Sequence, residues 1–587
     1  MTGPHDFRTL VDLVDRLKIA SPTHRMVLID ARGVETALTW REWHLRIRHH
    51  AAWLAAQGIE QGDRVLVCPT NHPDVLASFL ALFYLGAVPI SVSGTQMGQA
   101  PGSQLPFVAG LVVQTGARGV FTQPELVGGN DVDGLIPPTH LIDFVPSSLA
   151  LGEPPAIQPA ATVREDDLAF IQFSSGSTSW PKGVKISHRN VINNIRLLVE
   201  SGQRRSDETV VAWLPLYHDM GLMGTLLATL WHCPTNAVIL SPIRFLMRPL
   251  SWLSELSRYR ARITVCPNFA LDLCIDRIRE EDLVEQQIDL SGLEMLFVGA
   301  EPVRPNSLRR FYERFSNHGL RANTLYPVYG LAEATLIVTS PAPGEPIVTR
   351  TVHGIEVPSV GRSLGDFKVR VVRDDGTDCT ADETGEIWLQ GASVSEGYLD
   401  SDANVELFQD GWLRTGDLGS RDAEQRLYIT GRVKDLIIVN GKNYYAHDIV
   451  ADLEELPFFE RGKVAVFSTE CGGHEQMIVM TVPVGRISPA VRVKIAAFQA
   501  FLKVGGPRGW LKGVAADQIE PWVDKLISSD RADLTNEIKR YVLARFGVPV
   551  HDVVFVRKIP RTTSGKLKRD ACEQIYREQS TAPPADE

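Results

Sequence analysis

Hydroxyls, glycines and one lysine are concentrated in Phe173-Ser-Ser-Gly-Ser-Thr-Ser-Trp-Pro-Lys-Gly183, a composition suited to holding phosphate. Small residues from Ser174 to Ser179 leave backbone N–H groups free to approach an anion, and the serine and threonine hydroxyls add donors. The Walker pattern is absent, because Gly176 and Gly183 are seven apart and Lys182 precedes Gly183 instead of following it. That disfavours a P-loop NTPase. No G-x-S-x-G elbow supports a serine hydrolase, and no G-x-G-x-x-G follows the early strands to bind a dinucleotide. The seven cysteines are scattered singly, without zinc-ligand spacing, and read as reduced and mostly buried.

The loop needs a rigid frame. Leu168-Ala-Phe-Ile-Gln-Phe173 reads as a buried strand entering it. Beyond it Ser187 can cap a helix whose apolar positions include Val191, Ile192, Ile195 and Leu198, giving strand, loop, helix. Strands and helices alternate from Arg25 to Val92 and again through Val210–Leu214, Ala261–Cys266 and Met295–Val298, the pattern of parallel sheets covered by helices. The apolar run Val75–Val92 has membrane-like hydropathy, but Gly86 and Pro89 split it into a helix and a strand of the core. Between Lys368 and Gly431 short alternating strands and Asp-Gly turns predict an antiparallel subdomain, and a smaller α+β unit follows. The fold class is thus α/β, with a large N-terminal domain over 1–432 and a small α+β C-terminal domain over 433–587. Ser93–Gln104, Gly128–Pro138 and Gly152–Ala161 read as loops or connectors, and the tail Ser580–Glu587 as frayed.

A net charge of −10 without a long basic run argues against nucleic-acid binding. Met1-Thr-Gly-Pro-His-Asp6 lacks the basic and apolar regions of a signal peptide, so a cytoplasmic protein with no membrane span is expected.

Six further motifs accompany the loop in order: Trp213-Leu-Pro-Leu-Tyr-His-Asp-Met-Gly221, Gly299-Ala-Glu-Pro302, Tyr329-Gly-Leu-Ala-Glu-Ala-Thr335, Gly411-Trp-Leu-Arg-Thr-Gly-Asp-Leu-Gly419, Gly431-Arg-Val-Lys-Asp435 and Arg561-Thr-Thr-Ser-Gly-Lys566. Together they resemble the adenylate-forming superfamily of acyl-CoA synthetases, peptide-synthetase adenylation domains and luciferases. Ser241–Trp252, Cys266-Pro-Asn-Phe-Ala270, Gly299–Arg304 and Asp435–Asn443 are more specifically similar to the fatty acyl-AMP ligase branch. That branch activates a fatty acid as its adenylate and usually passes it to an acyl carrier protein instead of coenzyme A.

The resemblance implies ATP and Mg2+ as cofactors and assigns roles residue by residue. Ser174, Ser175, Gly176, Ser177 and Thr178, with Lys182, would cradle the phosphates, and Thr178 would share in catalysis. Glu333 is similar to the magnesium-binding glutamate, and Asp417 to the acceptor of the ribose hydroxyls, with Arg432 assisting. Adenine would lie between Gly299, Ala300, Glu301 and Pro302 and the Tyr326-Pro-Val-Tyr329-Gly330 segment, where an aromatic face suits a flat base. Lys566 looks like the adenylation lysine and Lys434 like the hinge, so the resemblance implies that the C-terminal domain 433–587 is mobile. His218 would line the acyl carboxylate site, while Phe245, Phe269 and Leu271 line an acyl tunnel or plain core. Asp219 could instead pair with a substrate amine, the mark of an amino-acid-activating enzyme.

Two departures matter. Only Ala334–Val360 separates Glu333 from Gly361-Arg362, short for the insertion with which this branch disfavours coenzyme A. The stretch from Gly505 through about Ser529 is extra, either a carrier-protein contact or a surface elaboration. Coenzyme A therefore stands as the alternative acceptor, and a non-catalytic adenylate-binding scaffold as a different class, which intact Lys566, Glu333 and Asp417 oppose.

Overall fold

The computed structural model describes residues 7–94, 105–123, 156–174, 182–352, 355–439, 442–454, 461–471, 474–482, 531–561 and 567–581, with a few isolated positions between. These fall into two compact units, one reaching Ile429 and one from Thr430 onward.

Two parallel sheets dominate the first unit. The larger has the order Leu325–Pro327, Met295–Gly299, Ile263–Pro267, Thr209–Ala212, Asn236–Leu240, Arg25–Ile29, Glu35–Thr39. The second runs Leu141–Ile142, Gly119–Phe121, Arg64–Val67, Val88–Ser91, Leu168–Ser174, Lys182–Ser187. Each closes on one antiparallel edge strand, Glu35–Thr39 and Lys182–Ser187 respectively. The central strands Thr209–Ala212, Ile263–Pro267 and Met295–Gly299 are buried at every position and carry no charged side chain, as cover on both faces requires.

Helices cover these sheets for local reasons. Thr39 caps Trp40–Ala56 in a capping box with Glu42, and Ser187 caps His188–Ser201 in a box with Asn190. Pro73–Tyr84 begins with proline in its first turn and is buried from Asp74 to Tyr84. The membrane-like hydropathy of Val75–Val92 therefore belongs to a core helix followed by the strand Val88–Ser91. Burial alone would push the Asp74 carboxyl up, but hydrogen bonds from His50 and Arg46 hold it below the ordinary aspartate range. Among the described residues, no helix is long and apolar enough to cross a membrane.

The strand, loop, helix expectation needs one correction. The strand Lys182–Ser187 intervenes between loop and helix and returns antiparallel to Leu168–Ser174, so the loop joins two paired strands. Val184 and Ile186 are buried while Lys185 is not, and that β-branched alternation suits a half-covered edge strand.

The antiparallel subdomain forms as expected, from Lys368–Val372, Gly385–Gln390, Phe408–Gln409, Trp412–Arg421 and Leu427–Arg432. A two-stranded ribbon, Thr349–Val352 with Ile355–Pro358, occupies the interval after Glu333. The second unit contains the pair Leu436–Val439 and Lys442–Tyr445, then the sheet Val464–Cys471, His474–Thr481, Val550–Phe555. Its core gathers Ile437, Ile449, Leu453, Val466, Val479, Ile538 and Val542. The closing helix runs Arg569–Thr581, so the expected frayed tail begins no earlier than residue 582, outside the described residues.

Candidate active site

In an open parallel sheet, ligands bind beyond the carboxyl ends of the strands. Ser174 ends one parallel strand and Gly299 another, so both strand ends lie where such a site belongs.

The first pair of site residues joins distant parts of the chain. The Tyr329 hydroxyl donates to Asp417 Oδ2 at 2.8 Å, with both residues buried. Asp417 N–H in turn donates to Thr415 Oγ1 at 3.0 Å, and Thr415 Oγ1 donates to the Ile387 carbonyl at 2.7 Å. Gly416 adopts φ +68°, which lets the strand present Asp417 inward. A hydrogen bond to a charged acceptor contributes about 1.5–3 kcal/mol. Gly330 cannot be replaced here, because an added Cβ would lie 1.7 Å from the Leu336 carbonyl oxygen.

A second hydroxyl-capped carboxylate, Glu333, lies four residues after Tyr329. Tyr398 O–H donates to Glu333 Oε1 at 2.6 Å, and Lys182 Nζ stands 4.7 Å from the centre of the Tyr398 ring. Glu333 occupies a single 3-10 turn, Ala332–Ala334, whose exit is tight. Thr335 has φ +70° and ψ −56°, and Leu336 N–H returns to the Ala334 carbonyl at 2.9 Å across it. That γ-turn is strained for a β-branched residue, and Thr335 Oγ1 secures it by donating to the Ser393 carbonyl at 2.7 Å.

Among the described residues no cluster of three or more His, Cys, Asp or Glu forms a metal cage. Glu333 with one oxygen beside Tyr398 and the other not bound to it fits an ion brought in on phosphates. Magnesium is commonly held by one or two carboxylates plus substrate oxygens, so the residues present fit that ion.

The motif expected to meet adenine has an unusual backbone. Ala300 takes φ +65° directly after its strand, and Glu301 Oε1 accepts the Phe269 N–H at 2.5 Å, tying two strand ends together. Pro302 is exposed. Tyr326 is buried against Phe297, and its hydroxyl accepts the Gly344 N–H at 2.7 Å.

His218 caps the short turn Asp219–Gly221, with Nδ1 2.6 Å from Asp219 Oδ1, and both side chains are partly exposed. Gln172, on the strand that enters the expected phosphate loop, donates to the Tyr217 carbonyl at 2.8 Å and so anchors this motif to that strand. Burial pushes the Tyr217 phenol up to about 12, which keeps it neutral. Phe245 stacks on Trp213 at 3.8 Å inside an aromatic cluster with Trp252, fully buried as Leu271 is. Phe269 meets Trp213 edge-on at 6.1 Å and is only half-buried.

Arg432 and Lys434 belong to the second unit and are exposed. The Lys434 carbonyl accepts from the Arg569 guanidinium, which fastens the expected hinge to the closing helix of that unit. Ser175, Gly176, Ser177, Thr178 and Lys566 lie outside the described residues, as does the extra stretch 505–529; of Ser174 only the backbone is described. The residue that sequence reasoning missed is Tyr398. It is 65 residues from Glu333, and no spacing or composition signal marks it.

Residues 18–399 match the family described as AMP-binding enzyme. The 4-hydroxyphenylalkanoate adenylyltransferase of Mycobacterium marinum is 31% identical, over 94% of this chain and 87% of its own. The medium-chain fatty acid acyl-carrier-protein ligase JamA of Moorena producens is 32% identical, over 71% of this chain and 69% of its own. A solved structure of the fatty acyl-adenylate ligases from E. coli and L. pneumophila is similar with a TM-score of 0.80 and 27% identity, covering 98% of both chains.

Proposed function

The chain belongs to the AMP-binding enzyme family of ATP-dependent, acid-adenylating ligases, and from that premise we propose that it activates a fatty or related carboxylic acid and hands the acyl group to the phosphopantetheine thiol of an acyl carrier protein. The observation that carries this reading is the short run Tyr329–Glu333. It supplies one member of each hydroxyl-carboxylate pair, so the residues read as ribose acceptor and metal carboxylate are both tied to this one segment. The similarity to JamA and to the fatty acyl-adenylate ligase fold favours a fatty acid and a carrier protein.

In the first half-reaction an oxygen of the acid attacks the α-phosphorus of ATP. One P–O bond forms, the bond to the bridging oxygen breaks, and its electron pair leaves on pyrophosphate. Two anions meet in that step, so positioned cations and donors matter more than a covalent nucleophile. The loop Ser174–Thr178 and Lys182 hold the triphosphate, and Asp417 accepts the ribose hydroxyls with Arg432 assisting. Adenine lies against Gly299–Pro302 and Tyr329-Gly330, with Tyr326 behind. His218 donates to the incoming carboxylate, and Lys566 bridges carboxylate and α-phosphate as charge builds. Glu333 would hold magnesium, which when bound neutralises phosphate charge. Phe269, half-open beside the Trp213 cluster, is the tunnel residue best placed to meet the acyl chain, with Phe245 and Leu271 behind it. In the second half-reaction the carrier's thiolate attacks the acyl carbon and AMP leaves. The domain 433–587 turns about Lys434 between the two steps.

The test is to incubate the purified protein with ATP, magnesium and a panel of fatty acids, follow pyrophosphate release, and then offer holo-carrier or coenzyme A. Acyl transfer to the carrier is the expected result. Efficient acyl-CoA formation without carrier transfer would replace the acceptor. Lys566→Ala is expected to abolish adenylate formation while leaving the fold intact, and undiminished adenylate from that variant removes Lys566 from the mechanism.

A further inference from the structure

Tyr398 has a backbone that is held with unusual completeness. Its N–H donates to Asn404 Oδ1 at 2.7 Å, and its carbonyl accepts from Asn404 Nδ2 at 3.1 Å, so one side chain clamps both polar groups. The preceding Gly397 has φ +102°, and a Cβ there would stand 2.3 Å from Asn404 Oδ1, so only glycine lets the clamp close. On either side the segment is laced to the strand that leaves the phosphate loop. Lys185 N–H donates to the Gly397 carbonyl at 2.9 Å, and Leu399 N–H to the Gly183 carbonyl at 2.8 Å. Ser395 N–H donates to the Glu333 carbonyl at 2.8 Å, which fixes the same segment to the carboxylate's own turn.

A buried side chain on so rigid a segment sets the position of whatever it touches. Tyr398 touches two groups of opposite charge through two different parts of itself. Its hydroxyl meets the Glu333 carboxylate, and its ring face meets the Lys182 ammonium. A carboxylate held at one oxygen keeps its second oxygen in a fixed direction, whereas a free one rotates about its last torsion.

We propose that Tyr398 is a positioning residue for adenylation, its hydroxyl aiming Glu333 at the metal-bearing phosphates while its ring seats Lys182. This rests on the adenylating function above. The two contacts separate chemically. The hydroxyl acts only through the metal side of ATP, and the ring acts on the phosphates whether or not a metal is present.

The experiment measures ATP affinity of the full chain by calorimetry, once with magnesium and once with EDTA, for wild type, Tyr398→Phe and Tyr398→Leu. Thermal unfolding of each variant confirms the fold. For Tyr398→Phe, affinity in magnesium is expected to fall about tenfold, the scale of one charge-assisted hydrogen bond, with affinity in EDTA unchanged. Tyr398→Leu should show that loss and a further one of about threefold in EDTA, as the ring face is removed. Equal weakening of Tyr398→Phe in both conditions, or none in either, overturns the proposal. Wild-type protein that releases no pyrophosphate with any acid overturns the functional reading instead, and the two failures are thereby distinguished.

Discussion

Asp417 and Glu333 each accept a tyrosine hydroxyl, yet they sit in different surroundings. Asp417 is 4% exposed on a long strand of the antiparallel sheet, with its backbone tied to Thr415. Glu333 is half-exposed on a single strained turn, with a lysine standing near its partner. A nearly sealed carboxylate suits uncharged hydroxyls, which it can accept without a hydration shell intervening. A more open one can share an oxygen with an ion that keeps much of its water. Burial thus suits the same chemical pair to the two tasks proposed for it.

The sharpest way to break that division is Glu333→Gln. It should lower the rate of adenylate formation about a thousandfold, the loss expected when a transition-state charge contact disappears, and weaken ATP binding only when magnesium is present. Asp417→Asn should lower kcat/KM about a hundredfold, mainly through KM for ATP, by the same factor with magnesium or manganese. If the two substitutions respond alike to the metal, the carboxylates do not divide the work. Tyr329→Phe sharpens the comparison from the other side. It should cost about tenfold in kcat/KM, because Asp417 stays buried but loses its fixed donor.

The smallest effect on activity at neutral pH should come from His188, at the start of the helix that follows the strand Lys182–Ser187. Its Nδ1 accepts the Leu10 N–H at 3.0 Å, and burial brings its pKa down from 6.5 to about 4. The unfolded chain binds a proton there between those values that the folded chain does not. Stability is therefore full above pH 6.5 and falls as the pH drops toward 4, by about 3 kcal/mol from this group. His188→Asn retains an acceptor for Leu10 N–H and should flatten that part of the stability profile in urea titrations. An unchanged profile would shift the acid sensitivity to other buried groups.

Much of the scaffold was legible because it rests on local rules. The apolar runs of the parallel strands, the cap Ser187 and the break at Gly86 and Pro89 each appear in a few neighbouring residues. The strand Lys182–Ser187 escaped notice because Lys185 interrupts a short run, and its pairing with Leu168–Ser174 is what makes it a strand. Glu333 and Asp417 stood out as chemical residues inside Gly-rich motifs. Their partners did not follow equally. Tyr329 lies in one of those motifs, whereas Tyr398 lies in none.

By itself the sequence determined the order of the elements, the class of the fold and the identity of the charged groups, since patterning, caps and turn residues act within a few positions of chain. Tertiary structure alone decided which hydroxyl each carboxylate meets and how far water reaches it. Contacts across 65 and 88 residues depend on sheets packing at a fixed register, and no local rule carries that distance.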